Sequence, residues 1–475
     1  VLNEALVRKR TDAILKTPTR IACFVTEEQQ ITELNNSLKN IDQTSLSTRC
    51  LIEHIAACPS EGEKIASKSD LDELLALMEQ IISWGMQGDL INFGVSENKI
   101  DVLDSQRIGT DHTLDEEVFN PFRLAKTKEN VTDAITEFND NFSEKNYSGN
   151  TGVSKKTDKA FEEEFGVTLT GILGFSHFLI WLAFETDPGY TKIYQMEMKE
   201  QAKKFFKDLS DYEFNALISY YCLDKRKSLM DLPKGYYPYD VFPWRYNRGL
   251  ALIRKPIVRR FDEEKKDFLC HYGPRQTKIA ATQTLYLFYT GKLRCIDGGS
   301  LSKIIGEKLN RKGAEFTKTV YDYFKALDGE RIVDQEVPIK NNKFLKADKD
   351  LGDIDVLVID HELKGILLLE CKKTEVARNV KQMVEEVNNL FGSESDKGWI
   401  VKHEARFGWV KENVALLSEK YDLDLSGYTV IPVILTSEEL PTKYLKEKDL
   451  PFDMLSFYQI KPWLINQKKI MSLND

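Results

Sequence analysis

The chain has 475 residues, of which 42% are apolar and 30% charged, as in a soluble globular protein of two to four domains with a sizeable core. Its seven cysteines are scattered with no CxxC pair, which argues against a zinc ribbon or a disulfide framework and fits a reducing cytoplasm. Net charge is −9, yet between Arg245 and Lys312 sixteen Lys or Arg stand against six Asp or Glu, so one basic segment offers a phosphate-binding surface in an acidic chain.

The chain opens at Val1 rather than Met, as a fragment or processed form would, and no secretory signal pattern stands at its start. HExxH, GxxxxGK[ST] and GxSxG do not occur. Zincin, P-loop and α/β-hydrolase chemistries therefore lack their local motifs, and ATPase activity would have to come from a partner.

Residues 1–142 read as a mostly helical N-terminal domain. In SDLDELLALMEQIISWGMQGD, Ser69 is the expected cap, and Leu71, Leu74, Leu75, Met78, Ile81 and Ile82 form one stripe. The following NKIDVLDSQRIGTD reads as a small hairpin. Residues 143–158, polar and containing Gly and Ser without periodicity, read as a linker.

A helical, basic and aromatic-rich central domain is expected over 159–307. Its longest apolar run, GILGFSHFLIWLAF (171–184), is too short to span a bilayer and reads as a buried helix, with His177 as a core histidine; membrane insertion is not expected. GYYPYD reads as a packed loop. FPWRYNRGLALIRKPIVRRFD (242–262) mixes Arg with aromatic rings. That mixture suits core anchoring first and a nucleotide platform second, with Arg254, Lys255, Arg259 and Arg260 as the phosphate-contacting candidates.

From 308 to 475 helix and strand alternate, so an α/β domain with a mixed sheet is expected after the helical regions. KGAEFTKTVYDYFKALDG gives a helix with the stripe Phe316, Val320, Tyr323, Phe324 and Leu327, stopped by Gly329. RIVDQEVPI, DIDVLVI and GILLLECK follow as strands, then helices near 376–391 and 402–420, then the strand YTVIPVILT.

Carboxylates interrupt two of these apolar strands. Ile366, Leu368, Glu370 and Lys372 share one face of GILLLECK, and Asp353 and Asp355 share a face of the strand before it. The connecting DHELKG is short enough for an antiparallel hairpin. Pairing Ile359 with Ile366 sets Asp355 opposite Glu370 and Asp353 opposite Lys372. Two carboxylates so placed repel unless a cation lies between them. A hard divalent ion such as Mg²⁺ (or Mn²⁺) satisfies both, and the Lys372 ammonium beside it can orient or help deprotonate a water and stabilise charge developing on phosphorus. Asp353 is either a further ligand or, the preferred reading, the ion-pair partner of Lys372. His403 and Arg406, one turn apart in KHEARFGWVKENV, can contact phosphate but fit a solvated helix face better.

Asp355 followed by Glu370-Cys371-Lys372 as E-x-K at the end of an apolar strand resembles the PD-(D/E)XK, restriction-endonuclease-like nuclease superfamily, over roughly the last third of the chain. The order helix, three strands, helix, further strand is similar as well. The resemblance implies a Mg²⁺-dependent deoxyribonuclease in which Asp355 and Glu370 bind metal. It adds Glu315 in KGAEF as the helical third ligand, Gln382 in VKQMVEEV as the residue on the following helix, and Lys373 beside the E-x-K triplet as a DNA contact. The chain departs from the pattern in two places: no proline precedes Asp355, and Glu386 stands where a tyrosine would follow Gln382. Large helical domains joined to such a nuclease are similar in architecture to effectors of prokaryotic defence against phage, so the expected partners are DNA, a protein supplying ATPase or sensing functions, and a second copy of the chain. The alternatives are an RNase with the same metal site and a catalytically silent nucleic-acid-binding or assembly module.

Overall fold

A computed structural model describes residues 27–58, 66–95, 100–105, 108–110, 114–127, 129, 153–186, 190–228, 230–393, 396–445 and 450–474. The chain divides into two compact units, residues 1–88 with 140–309, and residues 89–139 with 310–475. The division falls within the expected N-terminal domain of residues 1–142: residues 1–88 go with the first unit and residues 89–139 with the second. Of the expected linker, 143–152 lie outside the described residues, while Ser154 caps a helix that begins at Lys155.

In the first unit, α1 (Glu27–Ala57) and α2 (Lys68–Asn92) pack Cys50 and Leu51 against Leu71, Leu75, Met78 and Ile82. Ser67, not Ser69, caps α2. Its hydroxyl accepts the Asp70 N–H at 3.2 Å, while Asp70 Oδ2 accepts the Ser67 N–H at 2.7 Å. Leu74 and Ile81 of the expected stripe are exposed.

The unit continues with α3 (Lys155–Phe165), α4 (Leu169–Thr186), α5 (Gln195–Phe205), α6 (Asp211–Tyr221) and α7 (Pro274–Tyr289). Helix α4 is long and apolar enough to cross a membrane by length and composition, but Leu169, Ile172, Phe175, Phe178 and Leu179 form the centre of this unit's core. His177 lies on its exposed side, not in the core as expected. A four-stranded sheet also runs through the central region, where helix alone was expected. Its strands are β3 (Thr191–Tyr194), β4 (Cys222–Leu223), β5 (Ile257–Asp262) and β6 (Asp267–Tyr272), in the order β3-β6-β5-β4.

The second unit holds the short antiparallel pair β1 (Ile100–Val102) and β2 (Ile108–Thr110), as read from sequence. Its main body is a five-stranded mixed sheet of β7 (Arg331–Ile339), β8 (Gly352–Asp360), β9 (Gly365–Lys372), β10 (Thr429–Thr436) and β11 (Asp453–Ser456). The spatial order is β11-β10-β9-β8-β7. Strands β7, β8 and β9 form an antiparallel meander, and β9, β10 and β11 run parallel. Helices α9 (Val380–Phe391), α10 (Trp399–Glu412) and α11 (Val414–Tyr421) lie in the long connection from β9 to β10, as a parallel pairing requires.

Alternation along the strands divides the core in two. Val356, Val358, Leu367, Leu369 and Cys371 face α8 (Ser300–Ala326) and α12 (Ile460–Asn474), which contribute Phe316, Val320, Phe324, Ile460 and Leu464. Leu357, Ile359, Ile366 and Leu368 face the opposite way, onto Val410 of α10 and Leu417 of α11. Helical regions followed by a C-terminal α/β unit with a mixed sheet are thus the architecture of the molecule.

Candidate active site

The face of β8 and β9 that looks toward α10 carries Asp355, Glu370 and Lys372. The register is the one the alternation requires: Ile359 pairs with Ile366, and the ladder runs as far as Val356 with Leu369. Beyond that pair the strands part. Asp355 does not sit in a ladder position opposite Glu370; its Oδ2 instead accepts the backbone N–H of Cys371 at 2.7 Å. On the other side of β8, Glu336 of β7 stands across from Asp355 with φ 51°, a left-handed conformation that is rare for such a residue. The ladder is therefore broken on both sides of Asp355, and backbone strain of this kind concentrates at functional positions.

Glu370 lies at the centre of the cluster. It is 4% exposed, with Oε1 2.7 Å from Lys372 Nζ and Oε2 bonded by Arg406 Nη2. Lys372 Nζ also reaches Asp355 Oδ2 at 3.4 Å and lies 5.9 Å from the centre of the Trp399 ring. His403 and Arg406 project from α10 onto this cluster and are both buried, so the solvated-face reading of that helix is wrong at these two positions. They lie on the stripe that includes Ile400 and Val410, and a polar pair on a buried stripe was the signal available in the sequence.

Space for Arg406 depends on Gly352. That residue has φ +80°, and a Cβ there would sit 3.3 Å from Arg406 Nη1. Arg406 Nη1 reaches the Leu351 carbonyl at 3.4 Å, while its Nε has no partner. The His403 ring stands edge-on to Phe452 with centroids 5.1 Å apart. Its Nδ1 is 3.9 Å from Glu370 Oε2, and the Leu368 carbonyl lies beside the ring and favours its protonated form. A buried guanidinium with an unused donor, set with a buried imidazole against one carboxylate, is unusual in a region built only for stability.

Electrostatics separate the two acids. Burial raises the Asp355 carboxyl above its ordinary value, the charge on Glu370 adds to this, and Lys372, the Cys371 N–H and Arg406 oppose it. Burial pushes Glu370 up too, but Lys372 and Arg406 outweigh it and hold this carboxylate below its usual range. Burial would lower Lys372, whereas Glu370 and Asp355 raise it, so its ammonium is charged at neutral pH. In this arrangement Lys372 donates protons in hydrogen bonds and stabilises negative charge; it is not a base. Burial depresses His403 to about 4, against the charge of Glu370, and the imidazole is neutral.

Other expected site residues lie elsewhere. Glu315 is on an exposed face of α8, 3.5 Å from Arg311, its partner one turn earlier. Gln382 accepts the Arg378 N–H at 2.9 Å in the capping turn of α9, which begins after the N-cap Asn379. Among the described residues no three His, Cys, Asp or Glu side chains gather as a metal cage. The expected three-carboxylate centre is therefore not assembled: Glu315, in the middle of α8, is turned to Arg311 on an exposed face. Asp353 pairs with Lys340 at 3.1 Å rather than with Lys372. Lys373 is exposed and donates to Ser437 Oγ at 3.2 Å.

The expected basic surface of the central region is largely used within its own unit. Lys255 donates to the Ser219 and Tyr220 carbonyls at the end of α6, and burial lowers it to about 8. Arg259 forms a two-point pair with Asp224 and lies 4.6 Å over the Phe268 ring. Arg260 donates to the Ile55 carbonyl. Arg254 lies in the turns before β5 rather than on a helix. A cavity of about 480 Å³ between the ends of α3, α4, α5 and α6, lined by Phe205, Phe206 and Tyr212, contains no member of the acid–base cluster.

Fold and site define a helical protein with a C-terminal mixed-sheet unit, and at the parting of two strands that unit holds an open carboxylate and ammonium over a buried carboxylate and guanidinium. The chain belongs to the anti-phage protein Upx-like family, whose model matches residues 6–450, and its role is in defence against phage. Among curated proteins and solved structures, none matches the chain.

Proposed function

We propose that the protein is a nuclease effector of anti-phage defence that hydrolyses DNA phosphodiesters at the Asp355–Glu370–Lys372 cluster, with the chemistry of the PD-(D/E)XK superfamily. The observation that carries this reading is the convergence, on one face of β8 and β9, of two carboxylates with pKa values pushed apart and a charged lysine, beside a break in the ladder. The succession α8, β7, β8, β9, α9 to α11 and β10 supports it as well, being the element order of that superfamily.

The donor set fits a Mg²⁺ ion. Hard-oxygen binding by one or two carboxylates completed by water and substrate phosphate is that ion's habit, and Asp355 and Glu370 would hold it. Bound there, it would supply an acidified water and polarise the phosphoryl oxygen. Asp355 and Lys372 each have about a quarter of their side chain exposed, 24% and 25%, so a phosphodiester approaches from their side while Glu370, at 6%, forms the floor. The Lys372 ammonium lies where it can hydrogen-bond a nonbridging phosphate oxygen and offset the charge that grows on it. Residues of α10 close the site opposite the strands and limit water access to Glu370.

Incubation of the purified full chain with supercoiled plasmid tests the proposal, with Mg²⁺ or Mn²⁺ present, with EDTA, and with Lys372→Ala in parallel; matched linear DNA and RNA strands complete the set. Nicking or linearisation only by the wild-type protein with metal is the expected result. Equal cleavage by Lys372→Ala removes the assigned site, and cleavage of the RNA strand alone transfers the same chemistry to an RNase.

A further inference from the structure

Glu370 is held by two cations, Lys372 at Oε1 and Arg406 at Oε2, so a metal ion bound to this carboxylate would lie within a few ångströms of both. The cluster as it stands contains two carboxylates, Asp355 and Glu370, and two cations, Lys372 and Arg406, in mutual contact. Its charges balance without any further ion. A divalent cation entering alone would leave a buried excess of positive charge, which is strongly unfavourable in a low-dielectric site. A phosphodiester entering alone would meet two carboxylates. Together, the phosphodiester's negative charge offsets part of the cation's positive charge, and the cation screens the phosphate from the two carboxylates.

We infer that Arg406 is a phosphodiester-binding residue that is exchanged between Glu370 and the substrate phosphate, so that the metal ion and the nucleic acid bind as a coupled pair. The inference rests on the nuclease reading of this site and adds to it the residue that couples the two ligands. Several observations support it. The guanidinium keeps an unpartnered Nε beside its bond to Glu370, and a planar fork of donors suits phosphate recognition. Its second contact, to the Leu351 carbonyl at 3.4 Å, is long and weak, so little besides Glu370 holds it. Gly352, without a side chain, leaves the space beside Nη1 open. His403 is 1% exposed and lies on the same side of Glu370 as Arg406, with Nδ1 3.9 Å from Oε2.

Mn²⁺ binding to the full chain, followed by electron paramagnetic resonance, is the test, with and without a short duplex carrying phosphorothioate linkages that resist cleavage. For the wild-type protein the duplex is expected to tighten Mn²⁺ binding by about tenfold or more. In Arg406→Gln, removal of one positive charge a few ångströms from the ion is expected to tighten Mn²⁺ alone by about tenfold, while the gain from adding duplex falls to about threefold or less. Arg406→Lys keeps the charge and should leave Mn²⁺ affinity in the absence of duplex within about threefold of wild type, which separates the charge effect from damage to the fold. Unchanged or weaker Mn²⁺ binding by Arg406→Gln overturns the exchange. Asp355→Asn distinguishes this from failure of the underlying reading: if Asp355→Asn loses Mn²⁺ and Arg406→Gln gains nothing, only the exchange falls. Where no protein binds Mn²⁺, or Asp355→Asn binds it as well as wild type, the metal site and the exchange fall together.

Discussion

At one end of β8, Asp360 is fully buried and both of its oxygens are met. Oδ2 accepts Arg331 Nε at 2.6 Å, and Oδ1 accepts the Glu362 and Leu363 N–H groups at 3.0 Å each. At the other end, Asp355 is partly open, the ladder is broken beside it, and Arg406 beside Glu370 keeps an unused donor. Both aspartates lie on β8 near an arginine, Arg331 of β7 and Arg406 of α10, yet one closes a hairpin and the other stands at a break in the ladder. The difference teaches that burial and ion pairing do not distinguish the two ends of β8; the state of hydrogen-bond satisfaction does.

The largest effects expected are on stability, and they fall at the satisfied end. Removing one partner of a buried, hydrogen-bonded pair leaves the other charge uncompensated, so Asp360→Ala should cost about 3–5 kcal/mol, with Arg331 left without its carboxylate. Asp355→Ala removes a carboxylate whose charged form is already disfavoured by burial and by Glu370, and it should change stability by about 1 kcal/mol or less. Thermal melting of the two variants side by side measures the contrast. Equal losses would erase the distinction between the two ends.

Catalysis should show the reverse order. Lys372→Met keeps the length of the side chain but deletes the ammonium between Asp355 and Glu370. Cleavage per folded molecule should fall about 10²–10³-fold, as for other losses of a positioned charge at a reacting centre. Arg331→Met, at the other end of β8, should leave the specific activity of whatever protein remains folded near wild type. Metal-dependent nicking, normalised to folded protein, checks both.

A smaller effect should appear in the pH dependence of stability. His403 faces Glu370, Arg406 and Lys372 and packs on Phe452; its folded-state pKa is depressed to about 4 from an ordinary value near 6.5. Between those values the unfolded chain takes up a proton that the folded protein refuses, so stability falls as pH is lowered through this window and is fully present above it. The loss at pH 5 relative to pH 7.5 should be on the order of 2 kcal/mol for this group. In His403→Phe that part of the slope disappears. Parallel melting curves for wild type and variant across pH 5 to 7.5 would refute the assignment.

Much of this unit could be read from the chain. The strands RIVDQEVPI, DIDVLVI, GILLLECK and YTVIPVILT correspond to β7, β8, β9 and β10, because long apolar runs broken by turn residues leave little choice of period. The pairing of Ile359 with Ile366 was legible because a short loop and strict alternation fix a register to the residue. What was not legible depended on departures from regularity. Asp355 meets the Cys371 N–H instead of standing opposite Glu370 because the ladder ends one pair earlier. Arg406 and His403 lie underneath α10 because their helix face is turned to Glu370, which local spacing alone does not reveal. The central sheet escaped notice because β3 pairs with β6 across a long stretch of chain and its strands are short and charged.

Glu315 provides the smallest expected effect and the closest check on the two-carboxylate site. Sequence order puts it on the helix before the meander, where a third ligand is expected, whereas the structure gives it an exposed partner, Arg311, one turn earlier. Exposed pairs of this type contribute about 0.3–0.5 kcal/mol, so Glu315→Gln should leave the melting point almost unchanged. Mn²⁺ affinity in the presence of the phosphorothioate duplex should stay within about twofold of wild type, because two carboxylates with water and phosphate already satisfy a hard divalent ion. A tenfold loss of Mn²⁺ affinity in Glu315→Gln would mean that α8 moves to complete the site when the ligands enter. The cluster centred on Glu370 would then be one part of a larger centre, and the contrast between the two ends of β8 would extend to a helix that rests outside it.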